Sequence, residues 1–325
     1  MVRKTEKPVA VILGGTGFIG SNLINFLKQR GWYVIASDIQ DVQQGAEPDE
    51  FIKGDLRDIE VMKLVIPPEA DRVYQLAADV GGAGYIFSGE HDAAIIYSSA
   101  QINLNAAKVC ELRGVKKVFF PSSSCIYPVS MQNESYNSGL KEADAYPSEP
   151  DSVYGWEKLF GEQLWEAFAQ NTDMVVKIAR YQNIYGPFAP FKGLRAKAPE
   201  AISYKAISNP EVIEIWGDGK QTRSFIYIDD CLEAMELLMN HSDFDGPVNM
   251  GTEEDISIGD MTELIRDIVS SRARIKHIEG PQGVRGKKSD NSLVEEKLNW
   301  SPSHSMKEGL TKLIRWIKEK EENYG

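Results

Sequence analysis

Tyr154 and Lys158 stand four residues apart in VYGWEK. On a helix that spacing puts both on one face. An ammonium beside a phenol lowers the phenol's pKa, and the phenolate is then a base near neutrality. Upstream, PSSSCIYP follows the apolar run KVFF and carries Ser123 and, two residues on, the thiol of Cys125. A strand ending there delivers Ser123 to the carboxyl edge of a sheet, where open α/β sheets bind ligands. A second constellation opens the chain. VAVILGGTGFIGSNL spaces Gly14, Gly17 and Gly20 as GxxGxxG around Phe18 and Ile19. Glycines there allow a tight turn and close approach of a pyrophosphate, and the following helix N-terminus supplies oriented N–H groups. Asp38 ends the next apolar run, 18 residues past Gly20. Its carboxylate can accept from both ribose hydroxyls and repels a 2′-phosphate, so NAD is expected over NADP. Asp55, with Leu56 beside it, either reaches the adenine edge or caps the next helix.

These residues need a scaffold. Val9 to Leu13, Tyr33 to Ser37, Arg72 to Leu76, Lys117 to Pro121 and Met174 to Ala179 read as strands. Ile19 to Gln29, Ala93 to Arg113 and Val153 to Gln170 read as helices. The alternation predicts an α/β fold of Rossmann type, a doubly wound parallel sheet covered on both faces. After Arg180, YQNIYGPFAPFKGLRAKAPE is rich in Gly, Pro and aromatics, as expected of loops over a cleft. The expected division is a dinucleotide-binding domain over 1–181, with returns to its sheet at about 224–250. A smaller mixed lobe for the substrate takes 182–223 and 251–325.

Composition narrows the function. At 325 residues the chain exceeds the roughly 250–300 at which a single core stops growing, so two lobes are natural. A formal charge of −12 argues against a nucleic-acid partner. The polar start MVRKTEKP and the lack of an 18-residue apolar run predict no signal peptide and no membrane partner. Cys110, Cys125 and Cys231 are scattered and odd in number, against a disulfide framework or a metal site. A cytoplasmic protein is expected.

With these motifs in place, the chain resembles the extended short-chain dehydrogenases/reductases, in the NAD-dependent epimerase/dehydratase group. The resemblance spans nearly the whole chain, including the late LNWSPSHSMKEGL. It implies that Ser123 steadies a substrate hydroxyl and Tyr154 takes its proton. Lys158 would bind the nicotinamide ribose and tune Tyr154. It also implies cofactor contact at Ala77. In the group's 4,6-dehydratases one or two acids stand beside the triad Ser or Thr. Here Ser124 and Cys125 occupy those positions, so water elimination is disfavoured. A thiol suits inversion instead. A C4 ketone acidifies the hydrogens on C3 and C5; a thiolate can remove one and an ammonium return a proton from the other face. A thiolate needs an electropositive setting, and Lys192 in FKGLRAKAP is the expected partner.

Within the group, AADVGGAGYI at 77–86, SSSCIYP at 122–128, EPDSVYGWEK at 149–158, NIYGPF at 183–188, KGLRAKAP at 192–199, WGDGKQTRSF at 216–225 and GVRGKKSDN at 283–291 resemble the GDP-mannose 3,5-epimerases. That likeness implies a Cys125–Lys192 acid/base pair and a nucleotide-sugar such as GDP-mannose as substrate. Contacts are implied from Gly81, Ser123, Ser124, Asn183, Phe191, Gly193, Lys197, Trp216, Gly217, Asp218, Gln221, Arg223 and Arg285. Guanidinium groups bind phosphate oxygens bidentately, which suits Arg223 and Arg285 to a diphosphate; a surface ion pair is the other reading of Arg223. Trp216 either walls the pocket or packs in a core. A homodimer is implied by resemblance alone. The rival readings are an NADPH-consuming epimerase-reductase like GDP-L-fucose synthase, another nucleotide-sugar 4-epimerase, and a non-catalytic dinucleotide sensor. Asp38 opposes the first, and retention of Tyr154 and Lys158 opposes the last.

Overall fold

The structure is a computed structural model that describes residues 6–136 and 138–324. β1 (Val9–Leu13) is five apolar residues, all buried, as a strand covered on both faces should be. Its alternate positions feed two cores. Val9, Val11 and Leu13 pack with Val73, Val118 and Phe120, while Ala10 and Ile12 pack with Val34, Ala36 and Phe119. There follow α1 (Phe18–Gln29), β2 (Tyr33–Asp38), β3 (Glu50–Lys53), α2 (Ile59–Val65), β4 (Arg72–Gln75), α3 (Ala83–Ile86), α4 (Asp92–Arg113), β5 (Lys117–Ser123), α5 (Val153–Asn171) and β6 (Val175–Tyr181). The second half contributes β7 (Asn183–Tyr185), α6 (Ala198–Ser208), β8 (Val212–Trp216), β9 (Thr222–Tyr227), α7 (Ile228–Asn240), β10 (Val248–Met250), β11 (Asp255–Ser257), α8 (Ile258–Val269), β12 (Arg274–Ile278), β13 (Gly286–Lys287), α9 (Ser292–Leu298) and α10 (Met306–Tyr324).

The central sheet is parallel, in the order β10-β6-β5-β4-β1-β2-β3. Strand order reverses between β1 and β4. A doubly wound sheet opens its ligand crevice there, beyond the carboxyl ends of the strands. One difference from the sequence reading concerns the strand in 224–250. β9 does not return to the central sheet; it pairs with β7, β11 and β13 in a second, mixed sheet, and β10 alone rejoins β6. Only Gln182 separates β6 from β7, so the chain leaves the central sheet at that point and β9 aligns on the departed strand.

A buried polar network fixes α5 against its neighbours. Gln75 Nε2 and the Trp165 indole N–H both donate to Asn103 Oδ1, at 2.9 and 3.3 Å, and Asn103 Nδ2 donates to Glu157 Oε1 at 2.9 Å. The network ties β4, α4 and α5 together and holds the residues next to Glu157 in place.

Candidate active site

α5 starts at Ser152, whose Oγ accepts the Gly155 N–H at 3.2 Å. A Cβ at Gly155 would strike the Cys125 carbonyl oxygen, so glycine lets the helix sit directly on the segment after β5. This close approach brings Tyr154 to Ser123. Ser123 Oγ accepts the Cys125 N–H at 3.2 Å, opening a short 3-10 turn over Ser124–Ile126, and also hydrogen-bonds Tyr154. The Lys158 ammonium lies 5.7 Å from the Tyr154 ring centre and 3.9 Å from Glu157 Oε2. The expected fall in the phenol's pKa is not the net result in the chain alone. Burial, with the fields of Cys125 and Glu157, pushes the Tyr154 phenol well above its ordinary range, against the Ser123 hydrogen bond.

Cys125 is half-buried and lines the main cavity. Lys192 lines the same cavity, but its ammonium is held by another partner. Its side chain is about half exposed, its ammonium pairs with Glu321 of α10 at 2.8 Å, and it lies 4.7 Å over the Tyr204 ring. The residues from 192 to 194 are exposed, and Glu321 captures the lysine there. Three residues on, the chain is pinned. Gly82 N–H donates to the Arg195 carbonyl at 3.1 Å, and the Arg195 guanidinium binds Val80 O at 2.5 Å and Asp79 at 2.7 Å. The chain then enters α6 with Lys197 as its N-cap. Lys197 lines the cavity; burial pushes its ammonium down, and the charges of Glu200 and Cys125 oppose that. Of Lys192 and Lys197, Lys197 is the one whose ammonium feels the charge of Cys125.

Three neighbours were not singled out in the sequence. Lys287 Nζ donates to Cys125 Sγ at 3.2 Å and to Asp151 Oδ2 at 2.5 Å. Burial pushes the Glu200 carboxyl up to about 7, against Lys197. Lys287 and Asp151 both sit in segments quoted for their resemblance, but 136 residues part them in the chain.

The cofactor groove lies over the switch point. Gly14, Gly17, Phe18, Ile19, Gly20, Asp38, Asp55, Leu56, Ala77, Tyr154 and Lys158 all line the cavity of about 1140 Å³. Gly14 has φ +84°, and a Cβ there would lie 2.7 Å from the Ala77 nitrogen. Gly17 caps α1 without a side-chain hydrogen bond, and no acidic residue occupies the first turn. The helix thus presents its N–H groups to an anion. Asp38 accepts from Thr16 and Ile39 N–H at 3.1 and 2.7 Å, which fixes its carboxylate on the groove. Asp55 does not cap α2; Asp58 does, accepting from Glu60 N–H. Asp55 is instead held by Arg57 at 2.6 Å, which keeps its carboxyl below the usual range. These residues fit a dinucleotide with free ribose hydroxyls. An Asp38→Asn variant is expected to bind NAD about tenfold more weakly and to narrow the gap to NADP, because a charge-assisted hydrogen bond and a repulsion are lost together. Titrating both dinucleotides into apoenzyme checks this; an unchanged NAD/NADP ratio contradicts it.

On the other side of the cavity stand Gly81, Ser124, Asn183, Phe191, Gly193, Trp216, Gln221 and Arg223. Arg223 is no surface ion pair. Its guanidinium donates to the carbonyls of Thr222, Gln282 and Val284 at 2.7, 2.8 and 2.8 Å. Burial brings it down to about 10, opposed by Cys125 and Asp151. Gln221 Nε2 donates to the Trp216 carbonyl at 3.0 Å, leaving Oε1 buried with no protein partner. Trp216 walls the cavity and lies in contact range of Gly84 and Gly280. Gly217, Asp218 and Arg285 depart from expectation. None lines the main cavity; Arg285 forms a bidentate pair with Asp218 at 2.8 and 2.9 Å, and Gly217 and Asp218 border a shallow outer depression.

The site can therefore hold a dinucleotide across the switch point and present a phenol, a thiol and several ammonium groups to whatever lies beside it. Known proteins agree with that reading. The chain is 43% identical to an Arabidopsis thaliana GDP-mannose 3,5-epimerase over 95% of its length and 81% of that protein's. It is 28% identical to a GDP-L-fucose synthase from Sinorhizobium fredii, over 93% of this chain and 92% of that one. Among solved structures, a UDP-glucose 4-epimerase from Thermotoga maritima superimposes with a TM-score of 0.85 at 24% identity, over 96% of this chain and 99% of that chain. The profile described as the NAD dependent epimerase/dehydratase family matches residues 10–259, and the chain belongs to that family.

Proposed function

We propose that the protein is a GDP-mannose 3,5-epimerase. The observation that carries this reading is that Cys125 and Lys197 line one cavity with Ser123, Tyr154 and Lys158, with the Cys125 charge acting on the Lys197 ammonium. The 43% likeness to a plant enzyme of that name, against 28% to a GDP-L-fucose synthase, supports the choice of sugar nucleotide.

When bound, NAD supplies a hydride acceptor and donor for C4 of the sugar. The chain's own groups do the rest. Ser123 positions the C4 hydroxyl and Tyr154 takes its proton, with Lys158 beside the ring. With C4 as a ketone, the hydrogens on the adjacent carbons become acidic. Cys125 and Lys197 exchange protons there, at C5, C3 or both. Burial and Asp151 push the Cys125 thiol up, while burial pushes the Lys197 ammonium down. The thiolate is thus a readier acceptor and the ammonium a readier donor than either is in water, as an inversion with one group on each side requires. Arg223 is the cation suited to the diphosphate, and Trp216 and Gln221 suit the guanine end.

Incubation with GDP-mannose in deuterated water tests the reading. Deuterium is expected at C5, at C3, or at both, with no net consumption of nicotinamide. No incorporation overturns epimerisation of this sugar; stoichiometric NADPH consumption favours an epimerase-reductase. A homodimer is part of the proposal. Ile96, Tyr97 and Leu104 on α4 and Trp156 and Phe160 on α5 are exposed apolar side chains on two helices that pack together, suited to a self-complementary face.

A further inference from the structure

Cys125 is faced from several elements at once. Asp151 and Tyr154 come from the start of α5, Lys287 from β13, Arg223 from β9 and Lys197 from the N-cap of α6. Among the described residues one cation touches the sulfur: Lys287 Nζ donates to Sγ at 3.2 Å. That ammonium is anchored from the other side by Asp151, at 2.5 Å, and both side chains are nearly inaccessible to solvent, at 6% and 2% exposed. β13 exists as two residues, and it pairs Lys287 with Arg223 in parallel register. A buried carboxylate–ammonium pair costs desolvation that a pair of apolar residues would avoid, so its presence here calls for a use.

We propose that Lys287, held by Asp151, is a positioning residue that stabilises the thiolate of Cys125 and so sets how readily Cys125 takes a proton from the sugar. The inference rests on the reading of Cys125 as an epimerisation base. In that step the S–H bond forms as the C–H bond breaks, and the electron pair passes to the C4 oxygen of the enolate. Before it, the sulfur must carry charge. A donated hydrogen bond from an ammonium strengthens when its acceptor becomes an anion. Asp151 has two effects of opposite sign. Its charge disfavours the thiolate, but it keeps Lys287 protonated, since burial alone would push the ammonium down and Cys125 and Asp151 hold it above its ordinary value. Lys287 is thereby a fixed charge. Lys197 differs from it, since burial pushes its ammonium down.

The test is the pH dependence of Cys125 alkylation by iodoacetamide in NAD-loaded enzyme. Cys110 and Cys231 are fully buried and their thiols are pushed up, that of Cys231 to about 12, so the reaction between about pH 6 and 10 reports Cys125. Lys287→Met leaves Asp151 as an unpaired buried carboxylate and risks misfolding. The Asp151→Asn/Lys287→Met double variant removes both charges and avoids that risk. Lys287→Met against the wild type, and the double variant against Asp151→Asn alone, are each expected to move the alkylation midpoint up by at least about one pH unit, with alkylation about tenfold slower at neutral pH, since each comparison removes only the Lys287 charge. Deuterium exchange into GDP-mannose should slow in parallel, and Lys287→Arg should restore most of the shift by keeping the charge. A double variant whose midpoint stays within about 0.3 unit of that of Asp151→Asn overturns the role of Lys287. The separate control is Cys125→Ala. If it retains wild-type deuterium exchange, the reading of Cys125 itself fails, whatever the Lys287 variants do.

Discussion

Cys125→Ala is expected to lose deuterium incorporation at C3 and C5 by a factor of about 10² to 10⁴, the usual weight of a general acid or base. The sugar's C4 hydroxyl should still be oxidised, because Ser123 and Tyr154 do not depend on the thiol for their mutual hydrogen bond. The variant would then show reduced nicotinamide by its absorbance after mixing with GDP-mannose, and no exchange. Cys125→Ser sharpens the test. Serine preserves the volume and offers Lys287 an acceptor, so packing is retained. Its hydroxyl is too weak an acid to yield the anion, and exchange should stay low. Recovery of exchange in the serine variant would assign the loss in alanine to packing rather than to proton transfer.

The parts of this site that were legible in the sequence are those set by local spacing. The all-apolar run of β1, the glycine at φ +84° that follows it and the i, i+4 pair Tyr154 and Lys158 each lie within one element or one turn. All the residues singled out for the cofactor line one cavity. What spacing could not rank was decided by distant partners. Lys192 and Lys197 share one loop, and the sequence favoured the first. Glu321, 129 residues away, draws Lys192 outward. Arg285 and Lys287 share another segment; Asp218 holds the first outside the cavity while Asp151 holds the second inside it. Gly155 was a further unread signal. It lies between Tyr154 and Lys158, and its missing side chain is what allows α5 to rest on the Cys125 carbonyl.

The choice between the two lysines carries the second large effect. Lys197→Met is expected to slow deuterium exchange by about 10² to 10³, because it removes the group opposite Cys125. Lys192→Met should change the rate by no more than about twofold, since an exposed ion pair is held weakly in water. Charge alone is not the point at position 197. Arginine keeps the charge but does not release its proton in proteins, so Lys197→Arg should fail to restore exchange. The pH profile adds an independent check. The Lys197 ammonium lies below its ordinary value, so the neutral amine becomes available at lower pH than for a free lysine. Where that amine is the base, exchange rises as pH climbs through this lowered value. Replacing Lys197 should flatten that limb, whereas replacing Lys192 should leave it in place. A profile that flattens with Lys192→Met and persists with Lys197→Met would return the acid/base role to the exposed loop, against the geometry that ties Lys192 to Glu321.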